Sequence, residues 1–227
     1  MSRTMRVAVR PYGVLGTFLT SAGARKVASG PVPGLPIVDP AGLPYIQERG
    51  PRGAGGASKE IYRFLGIADD AAFPKPVTEA IRAPLLAKLQ YYGPYGCIHV
   101  VGPNFNNRSC TREEALGELT AAYGAVLREF AHARLGGLRL LPISGGIFAG
   151  PFASELPELT CSALRGAFDG LPEREQRHVS VARLDMCIFV ESEYALYETA
   201  FAAETRRAEE FAASLNMGST PTQPWQT

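Results

Sequence analysis

The chain has little of what metal, thiol and histidine chemistry require. Its three histidines, His99, His132 and His178, stand far apart among 227 residues, and none has a partner at zinc-ligand spacing. The four cysteines, Cys97, Cys110, Cys161 and Cys187, form no CxxC pair. That excludes a zinc knuckle and a dithiol redox motif, and leaves reduced, mostly buried thiols as the expectation. Neither sign of charge is in excess: 23 Lys and Arg against 22 Asp and Glu leave a net +1. No global field therefore draws in nucleic acid, and polyanion binding would have to come from a local patch, such as Arg49, Arg52 and Lys59. No apolar run approaches the ~20 residues of a membrane-spanning helix, and there is no secretory apolar core. No Gly-Lys-Ser/Thr follows a glycine loop, which excludes a P-loop. Ser144 lacks the Gly-x-Ser-x-Gly elbow of a hydrolase nucleophile.

These absences predict a soluble, cytoplasmic protein with no metal, no cofactor and no membrane contact. A mitochondrial address is the alternative, because Arg3, Arg6, Arg10, Arg25 and Lys26 precede the first acidic residue, Asp39. Against it, Met5-Arg6-Val7-Ala8-Val9-Arg10 alternates with period two and stops at Pro11, which suits an edge strand.

What is present is an ordinary globular composition, 46% hydrophobic and 20% charged, with no linker dividing it. Only the tail, Met217 to Thr227, has linker composition; it is expected to be mobile, with Trp225 its single aromatic. Ile37-Val38-Asp39-Pro40 reads as a short strand, and Ala57 to Leu65 as a helix stopped by Gly66. Val77 to Gln90 is ambiguous, interrupted by Pro84. Cys97 to Val101 is a β-branched central strand, with His99 as a satisfied core histidine. Thr111-Arg112-Glu113-Glu114 is a capping box opening a long amphipathic helix. Leu138 to Ile143 is a buried strand. Leu156 to Phe168 reads as a helix, His178 to Val190 as one strand or two, and Ser192 to Leu215 as a final helix. Alternating strands and helices predict a largely parallel sheet covered on both faces.

Two glycine-rich loops carry the chemistry. Gly53-Ala54-Gly55-Gly56-Ala57 opens a helix, where unpaired N–H groups and the positive dipole end favour an anion. Ser144-Gly145-Gly146 follows the strand at Leu138, where ligands of open α/β sheets bind. Either loop alone reads equally as a plain turn; facing one another, they suit a diphosphate. Ser144 would offer its hydroxyl to phosphate, and Phe148 would cover a ligand.

Set in order, Ile37-Val38-Asp39-Pro40-Ala41-Gly42, Gly53 to Tyr62, His99-Val100-Val101-Gly102-Pro103-Asn104, Leu141-Pro142-Ile143-Ser144-Gly145-Gly146-Ile147-Phe148-Ala149-Gly150 and a closing helix with Tyr194 and Tyr197 resemble macro domains, above all their viral branch. The resemblance spans residues 37 to 200. It implies an α/β/α sandwich with a mixed, largely parallel sheet over residues 1–216. It also implies binding of ADP-ribose or a related nucleotide diphosphate, free or on an ADP-ribosylated protein, by a module rather than an enzyme. By position, Gly55, Gly56 and Ala57 would take one phosphate, and Ser144, Gly145, Gly146, Ile147 and Phe148 the other phosphate and the distal ribose. Asp39, Gly42, Gly53, Ser58 and Pro142 complete the set.

The departures bear on catalysis. The family's distal-ribose Asn falls at Gly42 and its acidic residue after the glycine run at Ser58. No Gly-Asp-Ile motif supplies an adenine-reading Asp, and no Phe clearly matches the stacking position near Glu191 and Ser192. No catalytic residue is therefore assigned. Two alternatives stand beside the binding module: an ADP-ribosyl hydrolase using unconventional groups such as Asp39 or Glu60, and a protein- or RNA-interaction scaffold.

Overall fold

A computed structural model describes residues 4–217. The tail expected to be mobile, Trp225 included, lies outside the described residues from position 218 onward, as does Arg3 of the N-terminal basic run.

A mixed sheet organises the chain. Its strands are β1 (Val7–Arg10), β4 (Ile37–Ala41), β5 (Ala87–Tyr92), β6 (Tyr95–Val101), β7 (Gly137–Leu140) and β8 (Arg183–Cys187), in the spatial order β1-β8-β7-β4-β6-β5. All neighbours pair in parallel except β5, which runs antiparallel to β6 at one edge. β1 forms the other edge, as the alternation ending at Pro11 predicted. A separate antiparallel hairpin, β2 (Thr17–Thr20) and β3 (Gly23–Lys26), lies between β1 and β4 in the chain.

Side-chain alternation splits the sheet into two faces. Val38, Ile98, Val100, Leu138 and Leu140 enter one core, beneath α3 (Arg112–His132), α4 (Leu156–Asp169), α5 (Glu173–Val181) and α6 (Glu191–Met217). Ile37, Ala41, Cys97 and Val101 enter the other, beneath α1 (Gly56–Leu65) and α2 (Lys75–Ala80). The three-layer α/β/α sandwich is thus the observed fold.

The capping box is present in full: Glu114 N–H donates to Thr111 Oγ1 at 3.2 Å and Thr111 N–H to Glu114 Oε2 at 2.8 Å. Thr111→Ala is expected to cost about 1 kcal/mol, read as a lower denaturant midpoint at unchanged slope.

Two expectations need correction, and one ambiguity is resolved. Residues 178–181 belong to α5, with Pro172 at its start and His178 Nε2 donating to Leu135 O at 2.8 Å; the strand is confined to Arg183–Cys187. The ambiguous stretch after Val77 holds the end of α2 and then β5, a half-buried edge strand whose alternation is weak. The strand at Leu138 stops at Leu140, two residues before Pro142, which has no N–H for a ladder.

Candidate functional site

β4 and β7 are parallel neighbours, so the segments leaving their carboxyl ends emerge on one edge of the sheet. The first contains the π-helical turn Tyr45–Arg49 and reaches Gly55, the N-cap of α1. Gly55 supplies no side-chain cap and no acidic residue stands in the first turn. The leading amides of α1, at Gly56, Ala57 and Ser58, therefore lack intrahelical and capping partners. Gly53 and Gly56 adopt φ of 77° and 57°, a region other residues rarely enter. Tyr45 pins this loop: its hydroxyl donates to Gly53 O at 3.3 Å, and its ring lies where a Cβ on Gly42 would come within 3.2 Å.

What places α1 is a buried carboxylate. Asp39 is wholly inaccessible. Its Oδ1 accepts from Ser58 Oγ at 2.6 Å, and its Oδ2 lies 2.7 Å from both Tyr62 Oη and His99 Nδ1. A carboxylate accepts only, so His99 Nδ1 donates to it, while Nε2 lies 2.8 Å from Tyr92 Oη. Burial, and then the Asp39 charge, push the Tyr62 phenol well above its ordinary range; it stays a donor. His99 is the satisfied core histidine expected of it.

The second loop is fastened from beneath. Tyr123, buried on α3, donates to Leu141 O at 3.2 Å and accepts from Ile143 N–H at 2.9 Å. Ser144, at φ 61°, donates its hydroxyl to Pro103 O at 2.6 Å. Phe105 N–H donates to Phe148 O at 3.0 Å, and the Asn106 side-chain amide to Ile147 O. Gly145 N–H turns back to Pro142 O at 3.1 Å. The amides of Gly146, Ile147 and Phe148 donate to no protein atom among the described residues. The arrangement presents two runs of amides without a protein partner among the described residues, 56–58 and 146–148, at neighbouring strand ends.

The predicted residues divide accordingly. Gly53, Gly55, Gly56, Ala57, Gly146 and Ile147 are exposed, Ile147 at 82%. Gly42, Pro142, Gly145 and Phe148 are half-buried. Asp39 and Ser58 are buried and bonded to one another. The Ser144 hydroxyl, expected to face a phosphate, is instead spent on Pro103. Within the basic patch, Arg52 donates to Asp69 O at 3.0 Å and Arg49 stacks on Tyr45, leaving Lys59 exposed on α1.

One residue went unread. Phe189, just past β8, is a large aromatic left 42% exposed, and a Cβ on Gly13 would come within 3.2 Å of its ring. Its place two residues after the buried Cys187 was the available signal. The three buried thiols are held protonated: burial pushes Cys161 and Cys187 up to about 12 and Cys97 above its ordinary range.

The fold and this edge together define an α/β/α sandwich with two amide-exposing glycine loops at neighbouring strand ends. No family model and no curated protein sequence matches the chain; likeness to solved structures is extensive. An alphavirus P23pro-zbd structure superposes with TM-score 0.57 at 16% identity over 91% of this chain, which spans 24% of that one. The Oceanobacillus iheyensis macrodomain with ADP gives 0.52 at 18% identity, covering 75% of this chain and 84% of its own. A Trypanosoma brucei macrodomain in complex with ADP gives 0.51 at 17%, covering 86% and 67%. The chain has the macrodomain fold, in a divergent sequence.

Proposed function

We propose that the two loops form a cradle that binds ADP-ribose or a close nucleotide diphosphate, one phosphate on the amides of residues 56–58 and the other on those of 146–148. The observation that carries this reading is what surrounds Gly55 and Gly146. A Cβ at either would meet no atom within 4 Å, and neither has a positive φ. Neither packing nor backbone conformation requires glycine there, whereas an anion seated on backbone amides does. The ADP seen with macrodomains of the same fold supports the ligand class. Phe189 offers its exposed face to the adenine.

A binding role is favoured over hydrolysis because Asp39 is wholly buried, its oxygens facing Ser58, Tyr62 and His99. A base must lie within reach of the proton it takes. Glu60, the other carboxylate considered, pairs with Arg63 at 2.7 Å on the exposed side of α1.

Titration calorimetry with ADP-ribose, AMP and inorganic phosphate tests the reading. ADP-ribose should bind at least about 10-fold more tightly than AMP, because only it carries two linked phosphates. No heat and no thermal shift with about 1 mM ADP-ribose, equivalent to only about 4 kcal/mol, would overturn the proposal.

A further inference from the structure

Among the described residues, the third layer of the sandwich does not extend over the whole sheet. α1 and α2 cover β4 and β5, and Arg139 of β7 is roofed by the segment whose carbonyls at Val14 and Ser29 it binds at 2.9 and 3.0 Å. Beyond β7, the β1–β8 ribbon has one face in the core, through Val7, Val9, Leu184 and Met186. Along this ribbon runs an open groove of about 280 Å³ lined by Arg6, Val7, Ala8, Arg10, Ala182, Arg183, Leu184 and Asp185. The register sets Ala8 beside Asp185 and Arg10 beside Cys187. Strand alternation therefore places Arg6, Arg10 and Arg183 on the same face, which no helix among the described residues covers.

Asp185, fully buried at the floor, accepts from Arg10 Nε at 2.9 Å and from Arg183 Nε and Nη2 at 2.9 and 2.6 Å. One carboxylate thus aligns two guanidinium groups and neutralises only one of the three positive charges. We propose that this groove binds the phosphodiester backbone of a single-stranded nucleic acid. All three cations are arginines: the fork of Arg6 is offered whole to phosphate oxygens, and Arg10 and Arg183, held by Asp185 through Nε of the one and Nε and Nη2 of the other, offer their remaining N–H groups. Arg6 and Arg10 are separated by roughly 13 Å of extended chain, room for a short run of backbone phosphates. An acidic peptide is the poorer fit, since a peptide joining β1 would pair with its main-chain edge and leave the arginine face unused. The groove is separate from the amide cradle and does not depend on the ligand proposed there.

Fluorescence anisotropy of a labelled oligouridylate with the full chain tests the inference. Three phosphate contacts predict an affinity that falls about 10- to 20-fold between about 50 and about 200 mM salt. Arg6→Glu, at an exposed position, should lower affinity about 10-fold and flatten that slope, while Arg6→Lys retains most of the binding. Neither change should alter the heat measured with ADP-ribose, and Gly146→Glu should leave the oligonucleotide bound. The inference is overturned by wild-type affinity in Arg6→Glu, by an absent salt dependence, by loss of the oligonucleotide in Gly146→Glu, or by a polyglutamate peptide that displaces it at equal concentration.

Discussion

Gly146→Glu is expected to lower ADP-ribose affinity by at least about 100-fold, roughly 2.7 kcal/mol, without changing the stability of the fold. The new Cβ enters open space at a position whose backbone suits any residue, so surface-level effects within about 0.5 kcal/mol on stability follow. The carboxylate, however, lies beside the amides of residues 146–148, which donate to nothing else among the described residues. Placed about 4 Å from a phosphate, it opposes binding by up to ~4 kcal/mol at an effective dielectric near 20. Gly145→Ala makes the converse control. Its Cβ would press to 2.8 Å on Pro142 Cβ and 2.9 Å on Pro142 O, so stability falls there. Calorimetry and chemical denaturation on both variants separate the two roles; wild-type affinity in Gly146→Glu would remove the second loop from the site.

The other large effect is on folding. Asp39→Ala should destabilise the protein by about 3–5 kcal/mol, because it strands three donors in a dry interior at once. Ser58, Tyr62 and His99 come from two elements, α1 and β6, and the carboxylate is where they meet. Asp39→Asn should fall between the wild type and Asp39→Ala, since a carboxamide oxygen replaces one acceptor and its NH₂ opposes the remaining donors. Urea denaturation followed by far-UV dichroism gives the values. A loss below about 1 kcal/mol for Asp39→Ala would show that the network is not what holds α1 to the sheet.

Much of this architecture was legible from periodicity and punctuation. Thr111 with Glu114, Gly66 after a helical run, and the β-branched residues around His99 each obey a local rule, and each element stands where that rule put it. β5 and the β2–β3 hairpin escaped because short edge strands bury too little to impose a pattern. His178 to Val181 misled because helical residues happened to alternate. At the cradle, the glycine loops and their order were readable, but the bonding of single groups was not. Ser144 faces Pro103, Asp39 faces α1, and Phe189 stays exposed for reasons set by contacts across tens of residues, which spacing alone does not encode.

The anchoring of the second loop has a thermodynamic consequence. Its carbonyls at Ile147 and Phe148 and its Ser144 hydroxyl are committed to the segment after β6, so its main-chain dipoles are already oriented before any anion arrives. A ligand seated there forfeits little chain freedom on the protein side, and association should be enthalpy-led, fast, and accompanied by almost no change in backbone order.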